Sequence, residues 1–433
     1  MRVCLINTDF GTEIDSYILP LTMYYLAGIV RESGRVVNVV DPLLYRTGRM
    51  IEAYESVIKR VIVENDVILF TANSFGWAHV IKDIQYIREL GYKGYIVVGG
   101  IHPTAAYEHI LNKYNKLVDF IVIGDGEVSL IKLLDQIEKK SSNYSIDGIA
   151  YWKDNNIIYN KNKQVVKFEE KEYIAAYDLV PLGAYDTYTL ECSRGCYGNC
   201  KFCSILGKRS WRNHSIENIR NNILAIKNQA KKEKNKISII TTDDCFTSNN
   251  EWVRNVIDLF LEEEIENNKL HFEARVNQLI NDEIIECIKR LKDYQIQVGV
   301  ECGYDDGLLE IKKGFTIEQL IKLCNKLEEE SMCQNIFFSF IIGLPHEGVK
   351  ECLETIKFER FIKRRYGIKT VVNFWIPLPS ECYTSLFSNN EVNYEIYDDI
   401  NWQKDIDIFQ KTHPRLTLKE YELLRQELKV NRF

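Results

Sequence analysis

The sequence predicts an α/β protein in two successive parts, a doubly wound parallel sheet followed by a partial six-stranded α/β barrel. Three observations support this. Short β-rich apolar runs alternate with stretches of helical apolar spacing along most of the chain. The alternation comes in two blocks, separated by a polar, lysine-rich segment. With 433 residues, 45% apolar and 27% charged, and only 8 prolines, the chain can bury sizeable cores and is neither collagenous nor disordered. A formal charge of −7 without a long basic block argues against a nucleic-acid footprint. No apolar run reaches the roughly 18 residues of a membrane span.

In the first block the strand candidates are RVCLI, VVNVV, DVILF, YIVVGG and DFIVIG, separated by segments such as MYYLAGIVRESG and HVIKDIQYIRELG. Continuous apolarity marks strands buried on both faces, so residues 1–140 are expected to form a five-stranded Rossmann-like domain. Ligands of such sheets lie at the carboxyl ends of the strands. Those ends are the loops at Asn7, Thr71–Trp77, Gly99–Pro103 and Gly124–Glu127. Next, IAYWK and IIYN flank the turn-prone Asp154-Asn155-Asn156, so residues 141–187 are expected as a small hairpin and a linker.

From residue 188 a second series runs through TYTLEC, ISIITT, LHFEAR, IQVGVEC, IFFSFIIG and VVNFWIP, with amphipathic Glu- and Lys-rich segments between. Six strands with intervening helices predict an open (β/α)6 barrel over residues 188–387. Residues 388–433 form a charged, aromatic extension ending in the helical LTLKEYELLRQELK, with Tyr394, Tyr397, Trp402 and His413 as candidates to cap the barrel.

Twelve cysteines are unusual for this composition. The start MRVCLINTDF has no basic and apolar leader pattern, so a reducing cytoplasm is expected, where clustered cysteines bind metal or do chemistry. Cys196, Cys200 and Cys203 place three thiols within eight residues, directly after the first strand of the second series. Three ligands are one too few for a closed zinc site and leave one iron of a cubane cluster open to substrate. The bland alternative is zinc, with Cys192 as a fourth ligand.

The spacing Cys-x3-Cys-x2-Cys, with Phe202 before the last cysteine and Ser193-Arg194-Gly195 before the first, resembles the radical S-adenosylmethionine superfamily. Gly299-Val300-Glu301-Cys302-Gly303 with Lys313-Gly314 resembles that family's Gly-x-Glu-Ser-Gly segment, and Gly343-Leu344-Pro345-His346-Glu347 its Gly-Leu-Pro-Gly-Glu segment. The resemblance implies a [4Fe–4S] cluster on Cys196, Cys200 and Cys203, with S-adenosylmethionine on the fourth iron and reductive cleavage to a 5′-deoxyadenosyl radical. It further implies Glu301 at the ribose or amino group, Phe202 near the adenine, Asp243, Asp244 and Arg275 as positioning groups, and Trp375 and Pro377 on the adenine side. Leu378-Pro379-Ser380-Glu381 departs from the usual Pro-Gly-Thr there. Cys245, Cys302 and Cys382, near strand ends, are candidate hydrogen donors to a substrate radical.

The first block, with Gly-Gly-x-His-Pro and Gly-x-Gly-Glu loops, resembles the cobalamin-binding domain of many such enzymes. The resemblance places Asn7, Ser74, Trp77, Gly99, Gly100, His102, Gly124, Gly126 and Glu127 around a corrin. The Asp-x-His-x-x-Gly motif is absent, since Asn7-Thr8-Asp9-Phe10-Gly11 follows the first strand, so no histidine is expected from that loop on the lower face of the corrin.

The implied activity is methylation of an unactivated carbon of a small-molecule or peptide substrate. A low-potential donor such as flavodoxin or ferredoxin would serve it, and no membrane partner is expected. Two alternatives stay open, a non-methylating radical transformation and a non-catalytic iron–sulfur protein.

Overall fold

The apolar runs at the start of the chain become parallel strands because their β-branched residues fill both faces of one sheet. The computed structural model describes residues 1–8, 17–161, 168, 172–233, 238–265, 268–387, 392–399, 410 and 413–429. The first sheet holds β1 (Arg2–Ile6), β2 (Val36–Val40), β3 (Val67–Thr71), β4 (Tyr95–Gly99), β5 (Phe120–Val122), β6 (Ile149–Lys153) and β7 (Asn156–Tyr159), in the order β2-β1-β3-β4-β5-β6-β7. Strands β1 to β5 pair in parallel. Val3, Ile6, Val67, Ile68, Ile96 and Ile121 are essentially inaccessible to water. The helices α1 (Leu21–Glu32), α2 (Pro42–Arg46), α3 (Tyr54–Glu64), α4 (Trp77–Glu89), α5 (Ile101–Tyr114) and α6 (Glu127–Glu138) make the connections.

Seven strands replace the expected five. The hairpin is part of the sheet: β6 pairs antiparallel with β5, Val122 opposite Ile149, and β7 follows. The cause lies in β6, where Ile149, Ala150 and Tyr151 are buried and cover an edge that β5 would otherwise expose.

The second sheet holds β8 (Thr187–Leu190), then, after a small ribbon of β9 (Ser193–Arg194) and β10 (Arg212–Asn213), the strands β11 (Ser238–Thr241), β12 (Lys269–Ala274), β13 (Tyr294–Glu301), β14 (Ile336–Ile342) and β15 (Lys369–Phe374). Its order is β15-β14-β13-β12-β11-β8, without reversal, as in an open barrel. The helices are α7 (Ile216–Glu233), α8 (Asn250–Glu262), α9 (Val276–Leu279), α10 (Asp282–Ile288), α11 (Asp305–Glu310), α12 (Ile317–Glu329), α13 (Val349–Tyr366) and α14 (Glu381–Thr384). Thr316 starts α12 with a full capping box, and Gly367, at φ 65°, ends α13.

One face of this sheet is covered. Phe272 meets Phe246, Phe340 meets Phe358 of α13, and Ile342 packs with Cys352 and Ile356. A final helix, Leu418–Lys429, adds Tyr421 and Leu424 to that core.

The extension does not act as one cap. Tyr394 and Tyr397 lie against His102 of the first domain, correcting the barrel-capping expectation for both. His413 donates to the Gly343 and Leu344 carbonyls, each at 3.1 Å, at the end of β14. Trp402 lies outside the described residues, as do Asp9, Phe10 and Gly11. Among the described residues no helix is long and apolar enough to cross a membrane.

Candidate cluster loop and cofactor-facing edge

The three-cysteine segment lies in a loop closed at its base by the β9–β10 ribbon, Ser193 opposite Asn213 and Arg194 opposite Arg212. Gly195 leaves the ribbon at φ 84°, and a Cβ there would come within 2.1 Å of the Ser210 carbonyl oxygen, so only glycine fits. Cys196 N–H donates to Gly207 O at 3.0 Å, fastening the two arms of the loop.

The carboxylates after β11 hold the same base. Asp243 accepts from the Ser193 hydroxyl and from Cys192 N–H, and burial pushes it up to about 7. Asp244 accepts Gly195 N–H at 2.7 Å. In this structure the oxygens of both brace the base of the cysteine loop. Beside them Glu191 binds Arg194 and His214, at 2.8 and 3.0 Å. Burial pushes Glu191 up, but Arg194 and the His214 hydrogen bond outweigh it and hold the carboxyl down at about 2. Sequence reading missed this clamp, because Glu191 and His214 stand in no motif.

Cys196 and Cys200 are buried and Cys203 is half-buried. A hydrogen bond from the Cys245 thiol, helped by Gly198 N–H and the Arg275 charge, holds Cys196 down at about 6 against burial. Arg275, at the end of β12, reaches Cys200 Sγ at 3.4 Å and also donates to Lys313 O. Lys208 Nζ donates to Cys200 O at 3.0 Å. Among the described residues no group of three or more His, Cys, Asp or Glu side chains is already disposed about a metal. The loop therefore suits an iron–sulfur cluster by the chemistry of its donors, three thiols beside two cations, and not by preset coordination. Cys192 stays behind the loop, fully buried, its thiol pushed up by burial.

Glu301 closes β13 at a bulge, facing Phe340 after a register shift from Gly299. Its φ is 73°, a left-handed conformation that a non-glycine residue adopts only at a cost of order 1–2 kcal/mol. Its carboxylate pairs with Lys313 Nζ at 2.8 Å, both side chains under 10% exposed. Lys313 stands 5.6 Å from the Phe202 ring centre. Burial opposes the Lys313 charge, but Glu301 and Cys200 outweigh it and raise its pKa. The intrabarrel pairing of Glu301 is what the structure presents, with Lys313 as the partner.

Trp375 is tied to β14 through Ile342 O at 2.7 Å, and its indole N–H is buried without a partner in the described structure; Pro377 is buried. Of the candidate hydrogen donors, Cys245 and Cys302 are 0% exposed and Cys382 6%. All three side chains are thus buried in this structure. Glu347 is likewise a brace, accepting Leu344 N–H at 2.9 Å and the Tyr304 hydroxyl at 3.0 Å.

On the first domain the strand ends divide into a covered and an open part. Trp77, His102 and Ser74 are buried. His102 stacks on Trp77 at 5.1 Å, its Nδ1 bonds Ser74 Oγ at 3.1 Å, and Tyr397 meets its ring edge-on at 5.1 Å. Burial drives His102 down to about 3, so the ring is neutral, and its Nε2 has no partner in the described structure. Asp398 locks this cover in place by accepting from Trp77 Nε1 at 2.9 Å and pairing with His109 and Lys113 at 2.8 and 2.9 Å. Tyr394 and Tyr397 thus lie against His102, and Asp398 is bonded to Trp77.

Asn7, Gly99, Gly100, Gly124 and Gly126 stay partly open, whereas Glu127 is buried. Gly100 has φ 101°, and a Cβ would meet Ala72 O at 2.6 Å. Around Gly99 and Gly126 a Cβ finds only ordinary contacts with Val122, so four neighbouring glycines form a side-chain-free ledge that suits a broad flat ligand.

A model of the radical SAM superfamily matches residues 190–358, and a model of the B12 binding domain matches residues 8–134. The chain is 26% identical over 413 residues to an uncharacterized methyltransferase of Pyrococcus horikoshii, covering 93% of this chain and 84% of that one. Its fold is similar to that of the cobalamin-dependent S-adenosylmethionine radical enzyme OxsB, with TM-score 0.70, 22% identity and 94% of this chain covered. The match spans 56% of the OxsB chain. The radical S-adenosylmethionine methyltransferase TsrM of Kitasatospora setae has a similar fold, with TM-score 0.69, 14% identity, and 89% of this chain and 74% of that one covered.

Proposed function

The chain belongs to the radical S-adenosylmethionine enzymes that carry a B12-binding domain, and from that premise we propose that it methylates an unactivated carbon of a small-molecule or peptide substrate. The observation that carries this reading is the joint presence of a three-thiol loop on one sheet and a glycine ledge at the carboxyl edge of the other. The Pyrococcus relative, itself named a methyltransferase, supports the choice of methyl transfer.

When bound, the [4Fe–4S] cluster, S-adenosylmethionine and cobalamin supply the reducing electron, the hydrogen-abstracting radical and the methyl group. Cys196, Cys200 and Cys203 hold the cluster, and Arg275 offsets part of the negative charge of their sulfurs. Glu301, already fixed by Lys313 and by its bulge, presents a carboxylate to the polar groups of S-adenosylmethionine, with Phe202, Trp375 and Pro377 as apolar surface for the adenine. Asn7, Gly99, Gly100, Gly124 and Gly126 would carry the corrin edge, while Tyr397 packs edge-on against His102. Reductant comes from a small low-potential protein of the flavodoxin or ferredoxin type.

The test is anaerobic reconstitution with iron, sulfide and hydroxocobalamin, then incubation with S-adenosylmethionine and reductant. Release of 5′-deoxyadenosine together with S-adenosylhomocysteine is expected, with one corrin per chain. Deoxyadenosine without bound corrin or S-adenosylhomocysteine would overturn methyl transfer, and no deoxyadenosine from a fully loaded cluster would overturn the radical reading itself.

A further inference from the structure

Most cations around the thiol loop are answered by carboxylates. Arg194 pairs with Glu191 at 2.8 Å, Lys201 with Glu310 at 2.6 Å, Lys312 with Glu381 at 2.8 Å and Lys313 with Glu301 at 2.8 Å. Arg275 differs from them. Among the described residues no carboxylate forms an ion pair with it, although its side chain is half-buried, and its hydrogen-bond partners are Cys200 Sγ at 3.4 Å and the Lys313 carbonyl oxygen.

The backbone of the loop leaves room for this guanidinium. Gly198 stands between Cys196 and Cys200, and a Cβ there would lie 2.4 Å from Arg275 Nη1 and 3.3 Å from Cys196 Sγ. The cation therefore crosses the loop where the loop has no side chain, close to the sulfurs of two of the three cysteines. The Lys313 carbonyl holds its other nitrogen.

A charge taken partly out of water is costly unless an opposite charge meets it. What meets this one is sulfur, in thiols that metal binding keeps ionised. A cluster on three thiolates gains one negative charge when it is reduced. A fixed cation at a ligand sulfur favours that reduced form, and a hydrogen bond to the same sulfur acts in the same direction.

We infer that Arg275 is a positioning residue that sets the reduction potential of the cluster, raising it toward what a low-potential protein donor can reach. This deepens the radical-enzyme reading above and rests on it. One electron passes from the donor to the iron, and the guanidinium keeps its proton throughout.

The experiment is an anaerobic titration of the full chain, reconstituted with iron and sulfide and without S-adenosylmethionine, using titanium(III) citrate. The electron-spin signal of the reduced cluster is followed, so only loaded protein is read. Arg275→Met is expected to lower the reduction equilibrium constant about tenfold or more, a midpoint more negative by about 59 mV or more. Arg275→Lys should stay within about threefold of the native chain. Gly198→Ala, which keeps the arginine but pushes Nη1 aside, should shift the midpoint in the same direction by less. A native midpoint in Arg275→Met overturns the assignment, as does an equal lowering in Arg275→Met and Arg275→Lys. So does a loss confined to S-adenosylmethionine affinity, measured by dialysis, or an absence of iron from both Arg275 variants, which marks a role in holding the loop alone. Deoxyadenosine release by the native chain with S-adenosylmethionine is measured in parallel, so failure of the underlying enzyme reading shows separately.

Discussion

The two parallel sheets are built from the same βα grammar and end with opposite surfaces. In the first, strand order reverses at β1 and β3, helices flank the sheet, and the interior of every central strand is apolar. In the second, the order runs straight from β8 to β15, and Glu273, Gln297 and Asn373 stay in reach of water on the strands themselves. The reversing sheet can present chemistry only at its edge, whereas the unreversed one has a whole face for a ligand. Mutations in the first domain should therefore act mainly on folding and cofactor retention. Mutations at the water-reached strand positions of the second should have little effect on stability.

The sharpest break is at the cluster loop. Cys200→Ala should lower reductive cleavage of S-adenosylmethionine at least 100-fold and reduce bound iron, checked by iron assay and 5′-deoxyadenosine release. Cys192→Ala should leave iron content unchanged, because that thiol is buried behind the loop.

Next comes the Asp398 lock. Asp398→Ala leaves the Trp77 indole N–H and His109 without their acceptor and Lys113 with Glu395 alone, a loss of roughly 2–4 kcal/mol. Its mark is an early melting phase with a change in tryptophan fluorescence.

A pH titration sharpens the same comparison. His102 is buried neutral, with its pKa lowered to about 3, while the unfolded chain takes up that proton near 6.5. Its stabilisation is complete above about pH 6.5 and is lost progressively as pH falls toward 3, because only the unfolded state binds the proton there. Asp398, held down at about 2, adds a loss confined to pH values below about 4. His102→Phe should remove the first of these two decays and leave the second, read from urea midpoints between pH 7 and 3.

The smallest effect is expected from Gly100→Ala against Gly126→Ala. Position 100 combines φ 101° with a Cβ clash on Ala72 O, so a melting point several degrees lower is expected. Position 126 has room for a methyl group and should stay within about a degree unless corrin is bound.

Strands and helices were legible because their apolar periods are strong, and so was the cysteine loop because its spacing is short-range. The pairing of β6 with β5 was not, since a hairpin turn signals its own closure and says nothing of the edge it joins. The bracing bonds of Asp243 and Asp244 were not legible either. Their oxygens serve Cys192, Ser193 and Gly195, about 50 residues earlier, a contact that only the barrel fold creates. Trp77 and His102 looked open for a similar reason: the residues that cover them, Tyr397 and Asp398, come about 300 positions later.

The β9–β10 clasp has one more consequence. A loop tied at both ends has already lost most of the freedom that metal capture would otherwise remove. Protein stripped of its iron by oxygen therefore keeps the backbone of its thiol loop in register. Given iron, sulfide and a reductant, refilling would ask of the protein only side-chain movement, without unfolding of the chain.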